Sequence, residues 1–190
     1  TIKKGEKVGV VGRNGAGKTT LLSMISDNVK PTKGTIKVDG KVNALFVLGT
    51  GFHPEFSGRE NIKSSLAFQG ITGAEALILE KEIIEFSELE DFIEQPLKTY
   101  SAGMRARLAF ALSMAIEFDC FLIDEIISVG DSRFNKKCEA ELEKRVDKAM
   151  IMVSHHVDLI RKSCTHAGFL HHGKLHIFEQ IEEAIHAYES

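Results

Sequence analysis

The stretch GRNGAGKTT, Gly12 to Thr20, decides the fold. It follows an apolar run, Val8 to Val11, and leads into Leu21, Leu22, Met24 and Ile25 at helical spacing. Strand, glycine-rich loop and helix are the context in which GxxxxGK[ST] reads as a phosphate cradle. Gly12, Gly15 and Gly17 allow the backbone to curl close to a ligand. The curled loop, Arg13, Asn14 and Ala16 included, turns its N–H groups inward, and the helix through Thr20 adds its positive end. Lys18 supplies a charge for the outer phosphates, and the Thr19 hydroxyl is suited to Mg²⁺. The plainer alternative is a glycine-rich turn with a chance lysine. The flanking elements favour binding of a nucleoside triphosphate.

Composition sets the frame for this motif. A chain of 190 residues is long enough to bury a sizeable core as one domain. A net charge of −3 argues against a nucleic-acid clamp, so no nucleic-acid partner is expected. No apolar run approaches a membrane span, since Leu108 to Ile116 stops at Glu117. No stretch reads as a secretory signal. Cys120, Cys138 and Cys164 are odd in number and far apart, and read as reduced thiols.

Beyond the loop, Gly34 to Val38 alternates apolar and polar residues. With Asp39-Gly40 as a turn and Lys41 to Leu48 extended, it predicts a hairpin. Gly49 to Gly58 reads as a loop, and a helical pattern runs from Arg59 to about Ile116. Leu79, Ile83, Phe86, Leu89 and Ile93 form one stripe, and the glutamates of Glu75 to Glu94 read as its exposed side. Pro96 breaks the run, and a second helix starts near Ser101. Cys120 to Ile123 and Ala149 to Val153 suit buried parallel strands. Gly168 to Leu170 and Leu175 to Phe178 predict a hairpin about His171 to Lys174, before a short helix from Ile181 to Tyr188.

FDCFLIDE, Phe118 to Glu125, is an apolar strand ending in two acids. Asp124 is suited to Mg²⁺ and Glu125 to polarising the attacking water. The alternative is a pair of acids capping the next helix. Arg105 and Arg107 read as a solvated helix face. His166, His171, His172 and His176, with Cys164, lack a recognised zinc spacing.

TYSAGMRARLAFA, Thr99 to Ala111, resembles the signature sequence of ABC-transporter ATPases, LSGGQ followed by a basic helix. The resemblance extends over nearly the whole chain. It implies an α/β P-loop NTPase fold of the ABC-ATPase type, with a mostly parallel core sheet and a helical insert. One domain over 1–190 is expected, with a RecA-like core at 1–57 and 118–190 and a helical signature subdomain at 58–117. Ser101, Ala102, Gly103 and Met104 would complete the ATP site of a second copy in a head-to-tail homodimer that sandwiches two ATP molecules. His155, in Val153-Ser-His-His156, would sense the γ-phosphate. Asp131, in Ser128-Val-Gly-Asp131, would touch the opposite copy.

Three stretches most resemble the ATPases that export bacterial capsule, O-antigen or teichoic acid: Gly49 to Asn61, Lys98 to Glu125 and Ser128 to Cys138. The resemblance implies ATP hydrolysis coupled to polysaccharide export through a separate membrane permease subunit. The chain would sit peripherally on the cytoplasmic face of the bacterial plasma membrane, with the insert and Gly49 to Glu60 as docking surface. Two other readings are a soluble ABC protein acting on nucleic acid or the ribosome, and a nucleotide-binding module that does not hydrolyse. The chain departs from the family pattern in several places. The glutamine expected near Leu48 or Gly49 is missing, and Gln69 comes too late. Ala102 and Met104 replace a glycine and a glutamine. No aromatic residue precedes Phe46 to stack on adenine, which is read as N-terminal truncation.

Overall fold

The computed structural model describes residues 1–45, 49–124 and 131–190. They form two compact units, one of 1–45, 118–124 and 144–190, the other of 49–117 and 131–143.

The first unit is built on a six-stranded sheet. Its strands are β1 (Lys7–Val11), β2 (Val42–Ala44), β3 (Cys120–Asp124), β4 (Ala149–Ser154), β5 (His166–His171) and β6 (Lys174–Phe178). The spatial order is β2-β3-β4-β1-β5-β6. All neighbours are parallel except β5 and β6. The short apolar runs of β1, β3 and β4 carry no alternating polar face because helices cover both sides. On one face Leu22 of α1 (Lys18–Ile25) packs with Val10, Leu122, Ile151, Val153 and Leu170. On the other, α6 (Val157–Ser163) presses against Gly9, where a Cβ would lie 2.5 Å from Ile160 Cγ2. Gly9 and Val10 are successive strand residues and so face opposite sides. The β5–β6 hairpin closes through His172 and Gly173, both at positive φ, as a two-residue turn of type I′ requires. Helix α7 (Ile181–Glu189) follows it and buries Ala184 and Ile185.

The expected hairpin at Gly34 to Leu48 does not form. Residues 34–38 are exposed and carry no strand, with Ile36 and Val38 facing solvent. Alternation gives a strand only where a neighbouring edge accepts the ladder. Here Gly40, at φ 116°, instead carries the chain past Asp119, whose Oδ2 accepts from the Lys41 N–H at 2.8 Å. The only extended segment described there is β2, paired with β3.

The second unit is helical: α2 (Gly58–Phe68), α3 (Gly73–Ser87), α4 (Ala102–Ala115) and α5 (Ser132–Glu143). Ser57 and Glu60 form a reciprocal capping box at the start of α2. The stripe expected to run from Leu79 to Ile93 on one helix breaks at Ser87. Leu89 and Ile93 are nevertheless buried, one on each side of a short 3-10 turn, Glu90–Phe92, beyond α3. Phe86, Phe110 and Phe134 bring α3, α4 and α5 together, with ring centroids 6.0 and 5.8 Å apart. The glutamates of this region are not all solvated. Glu80 is 6% exposed and pairs with Arg59 and Lys63, and Glu88 meets three cations. Nor is Arg107 a solvated residue, since its side chain is only 17% exposed. Burial of paired charges depends on partners far along the chain, which a local pattern does not contain.

Cys120, Cys138 and Cys164 are free thiols. Burial pushes Cys120 up to about 11 and the other two up to about 12, leaving them protonated and unreactive at neutral pH. No described helix is long and apolar enough to cross a membrane.

Candidate nucleotide-binding site

The sheet order brings the predicted chemistry to one end. β4 lies between β1 and β3, with Val11 opposite Ser154 and Val153 opposite Asp124. Gly12, Asp124 and His155 therefore stand at the carboxyl ends of three adjacent parallel strands, where open α/β sheets bind ligands.

Gly12 leaves β1 so close to β5 that a Cβ would meet the Leu170 carbonyl oxygen at 2.7 Å. The Ala16 N–H then turns back to the Arg13 carbonyl. Gly17 starts α1 at φ 105°, a left-handed geometry suited to glycine, and offers no side chain to cap the helix. The first N–H groups of α1 thus keep no side-chain acceptor of their own at the N-cap. Arg13, Asn14 and Gly15 are exposed, as are Thr19 and Thr20; Ala16 and Gly17 are half-buried. Lys18 is buried, and its ammonium donates to the carbonyls of Gly12 at 2.8 Å and Arg13 at 3.3 Å. Among the described residues its hydrogen-bond partners are neutral carbonyls, so its charge is suited to an incoming anion.

Beside it, Thr19 Oγ1 donates to Asp124 Oδ2 at 2.5 Å. A hydroxyl and a carboxylate of hard oxygen thus meet at one point, the donor set that Mg²⁺ takes when phosphate and water complete its shell. No cluster of three or more His, Cys, Asp or Glu able to hold a metal occurs among the described residues. Such a sparse protein contribution is usual for Mg²⁺ bound with a nucleotide. Glu125, the expected base, lies outside the described residues. His155 is exposed at the end of β4, its ring 3.9 Å from that of His156. The His156 N–H donates to the buried Ser154 hydroxyl at 2.9 Å, which fixes the turn out of the strand.

The signature residues open α4 in the helical unit. Ser101 is the N-cap, and its Oγ accepts from the Met104 N–H at 3.1 Å. Ser101 and Ala102 are exposed, with Gly103 and Met104 half-buried. The preceding residue is anchored: Tyr100 is buried, and its hydroxyl donates to the Phe92 carbonyl at 2.8 Å. Asp131 Oδ1 accepts from the N–H groups of Arg133 and Phe134, each at 2.9 Å, and so caps α5. Those hydrogen bonds, that of Phe134 foremost, hold its carboxyl below the ordinary carboxylate range; slight burial opposes this and the Arg107 charge assists.

A residue that sequence reasoning passed over organises the loop before α2. Asn61, 2% exposed, donates to the carbonyls of His53, Phe56 and Ser57 and accepts from the His53 N–H at 2.7 Å. The loop it folds is zipped to the segment leading into the signature. Leu97 N–H donates to Phe56 O and Lys98 N–H to Pro54 O, both at 2.9 Å. Its one sequence signal is an asparagine inside a helix interior, where its side chain normally competes with the backbone. The glutamine expected near Leu48 or Gly49 has no stand-in at Gly49. Leu48 lies outside the described residues, and Gln69 ends α2.

The family model described as ABC transporter matches residues 1–128. The O-antigen export system ATP-binding protein RfbB of Myxococcus xanthus is 45% identical, over 91% of this chain and 40% of that protein. The chain thus spans less than half the length of that relative. The capsule polysaccharide export ATP-binding protein CtrD of Neisseria meningitidis serogroup B is 42% identical, over 100% of this chain and 87% of that one. Among solved structures, the dimeric bacterial ABC transporter cassette MJ0796 is 25% identical, with a TM-score of 0.75 over 91% of this chain and 84% of that chain. The chain belongs to the ABC transporter family of ATPases.

Proposed function

We propose that this chain drives export of a bacterial cell-surface polysaccharide by hydrolysing ATP as a pair of copies. The observation that carries the ATPase reading is the contact of Thr19 with Asp124 beside the glycine loop. Gly12 to Thr20 would cradle the phosphates through backbone N–H groups. Lys18 would exchange the Gly12 and Arg13 carbonyls for phosphate oxygens. Thr19 and Asp124 would hold Mg²⁺, whose chemistry there is to neutralise phosphate charge. Glu125 takes the role of general base for water, and His155 that of contact to the γ-phosphate.

The second copy supplies Ser101, Ala102, Gly103, Met104 and Asp131. The Ser101 oxygen already accepts from Met104. Its own proton therefore stays available to donate to a phosphate oxygen. ATP favours closure because its γ-phosphate bridges both copies, and hydrolysis removes the bridge.

The substrate assignment rests on relatives named for O-antigen and capsule export. A separate membrane subunit would dock on the cytoplasmic side, at the loop that Asn61 folds. A groove of about 480 Å³ there is lined by Gly49, Phe52, Pro54, Leu97 and Ala102, together with Lys98 and Arg105. The test is ATP turnover and nucleotide affinity of the chain and of Lys18→Ala. The variant should bind ATP roughly ten- to hundredfold more weakly, the worth of a hydrogen bond to a charged group. Unchanged affinity contradicts the assignment. Co-purification with a multi-span membrane protein tests the export reading, and its failure in the native host contradicts that part.

A further inference from the structure

We infer that Glu88 is a positioning residue, tying Asp131 to the signature helix so that each copy presents both to the other as one surface. This rests on the two-copy reading above. Glu88 is the C-cap of α3 at φ 56°, ψ 45°. That left-handed geometry normally goes to glycine and is strained for a residue with a Cβ. A glutamate held there points to work done by its side chain.

Its carboxylate meets three cations from two other helices. Lys137 Nζ of α5 donates at 3.1 Å, Arg107 Nη1 of α4 lies at 3.5 Å, and Arg133 Nη2 of α5 donates as well. Burial alone opposes charge on Glu88, yet the bond and charge of Lys137 and the charge of Arg133 hold its carboxyl below the ordinary range. Lys137 is fixed in turn by the Phe86 carbonyl at 2.8 Å and by the Phe86 ring, whose centroid is 4.5 Å away.

Arg107 is the link to the interface residues. It lies on the helix that Ser101 caps. Its Nη2 donates to Asp131 Oδ2 at 2.6 Å, and its guanidinium lies 4.8 Å from the centroid of the Phe134 ring. Asp131 uses its other oxygen to cap α5. One route therefore runs from the end of α3 through Glu88 and Arg107 to Asp131, with both oxygens of Asp131 committed. Planar, two-pronged Arg107 can hold Glu88 and Asp131 at once, each on a different nitrogen. Without Glu88, three cations lose their shared carboxylate, and Arg107 is free to leave Asp131. The nucleotide-holding residues Gly12 to Thr20 belong to the other unit and should not respond.

The test uses Glu125→Gln as parent, with Glu88→Gln, Glu88→Gly and Glu88→Asp added. ATP-dependent dimerisation is read by sedimentation, and monomer nucleotide affinity by a fluorescent ATP analogue. Glu88→Gln and Glu88→Gly should weaken dimerisation at least tenfold while analogue affinity stays within twofold. Glu88→Asp, which keeps the charge, should recover most of the loss. Glycine relieves the backbone strain, so a defect shared with Glu88→Gln belongs to the missing carboxylate. Dimerisation equal to the parent overturns the inference. So does a parallel loss of analogue binding, which marks a merely stabilising role, or an aspartate variant as weak as glutamine. A parent that never dimerises with ATP overturns the two-copy reading itself.

Discussion

Thr19 Oγ1 donates a 2.5 Å hydrogen bond to Asp124 Oδ2, joining residues 105 positions apart. The contact exists because β1 and β3 both flank β4 and end at the same level of the sheet. Asp124→Asn keeps an oxygen that can accept from Thr19 but removes the charge. It should leave the fold intact and raise the Mg²⁺ concentration for half-maximal ATP turnover about 10- to 100-fold. Titration of turnover against Mg²⁺ checks this, and an unshifted curve removes Asp124 from the metal site.

Asn61 should matter for stability more than any other polar residue of the helical unit. Its buried side chain serves three carbonyls and one N–H of the loop 53–57. Asn61→Ala removes the side-chain partner of the His53 carbonyl and N–H, while His53 O keeps the Phe56 N–H, Phe56 O keeps the Leu97 N–H and Ser57 O keeps the Asn61 N–H. Stability should fall by about 2–3 kcal/mol, or roughly 5–10 °C in Tm for a chain of this size. Thermal unfolding monitored by circular dichroism measures it. A Tm within a degree of the parent would show that water satisfies the loop.

Acid should loosen the helical unit through identifiable carboxylates. Hydrogen bonds hold Asp131 and Glu60 low, and Glu88 is held low by Lys137 and Arg133 against its burial. A carboxyl depressed on folding adds stability above its unfolded value, and that stability drains away as pH falls through its folded value. Tm should therefore fall progressively as pH drops below about 4. Asp131→Asn should flatten that dependence, since the variant has no proton to take up there. An equally steep slope in Asp131→Asn would assign the acid sensitivity to other groups.

The legible parts of the sequence are those whose cause is local. The glycine loop, the apolar strands β3 and β4, the hairpin about His172 and Gly173, and the cap at Ser101 each carry their own signal within a few residues. Gly34 to Val38 misleads because alternation is necessary for a half-buried strand but does not supply the neighbouring edge. Glu80 and Glu88 mislead in the opposite direction. Their sequence neighbours are acids and helix formers, and Arg59, Lys63, Arg107, Arg133 and Lys137, brought in by packing, explain why they are drawn out of solvent. Asn61 is the same lesson for a neutral side chain: its four partners precede it in the chain, but only a folded loop makes them converge.

On the proposed function, ATP should close two copies on each other. Glu125→Gln removes the proposed base while leaving the loop, Lys18 and the signature helix untouched, so bound ATP should persist. Light scattering of that variant should give a dimer with ATP and Mg²⁺ and a monomer with ADP. A mass that stays monomeric with ATP at concentrations well above the nucleotide dissociation constant would contradict the account.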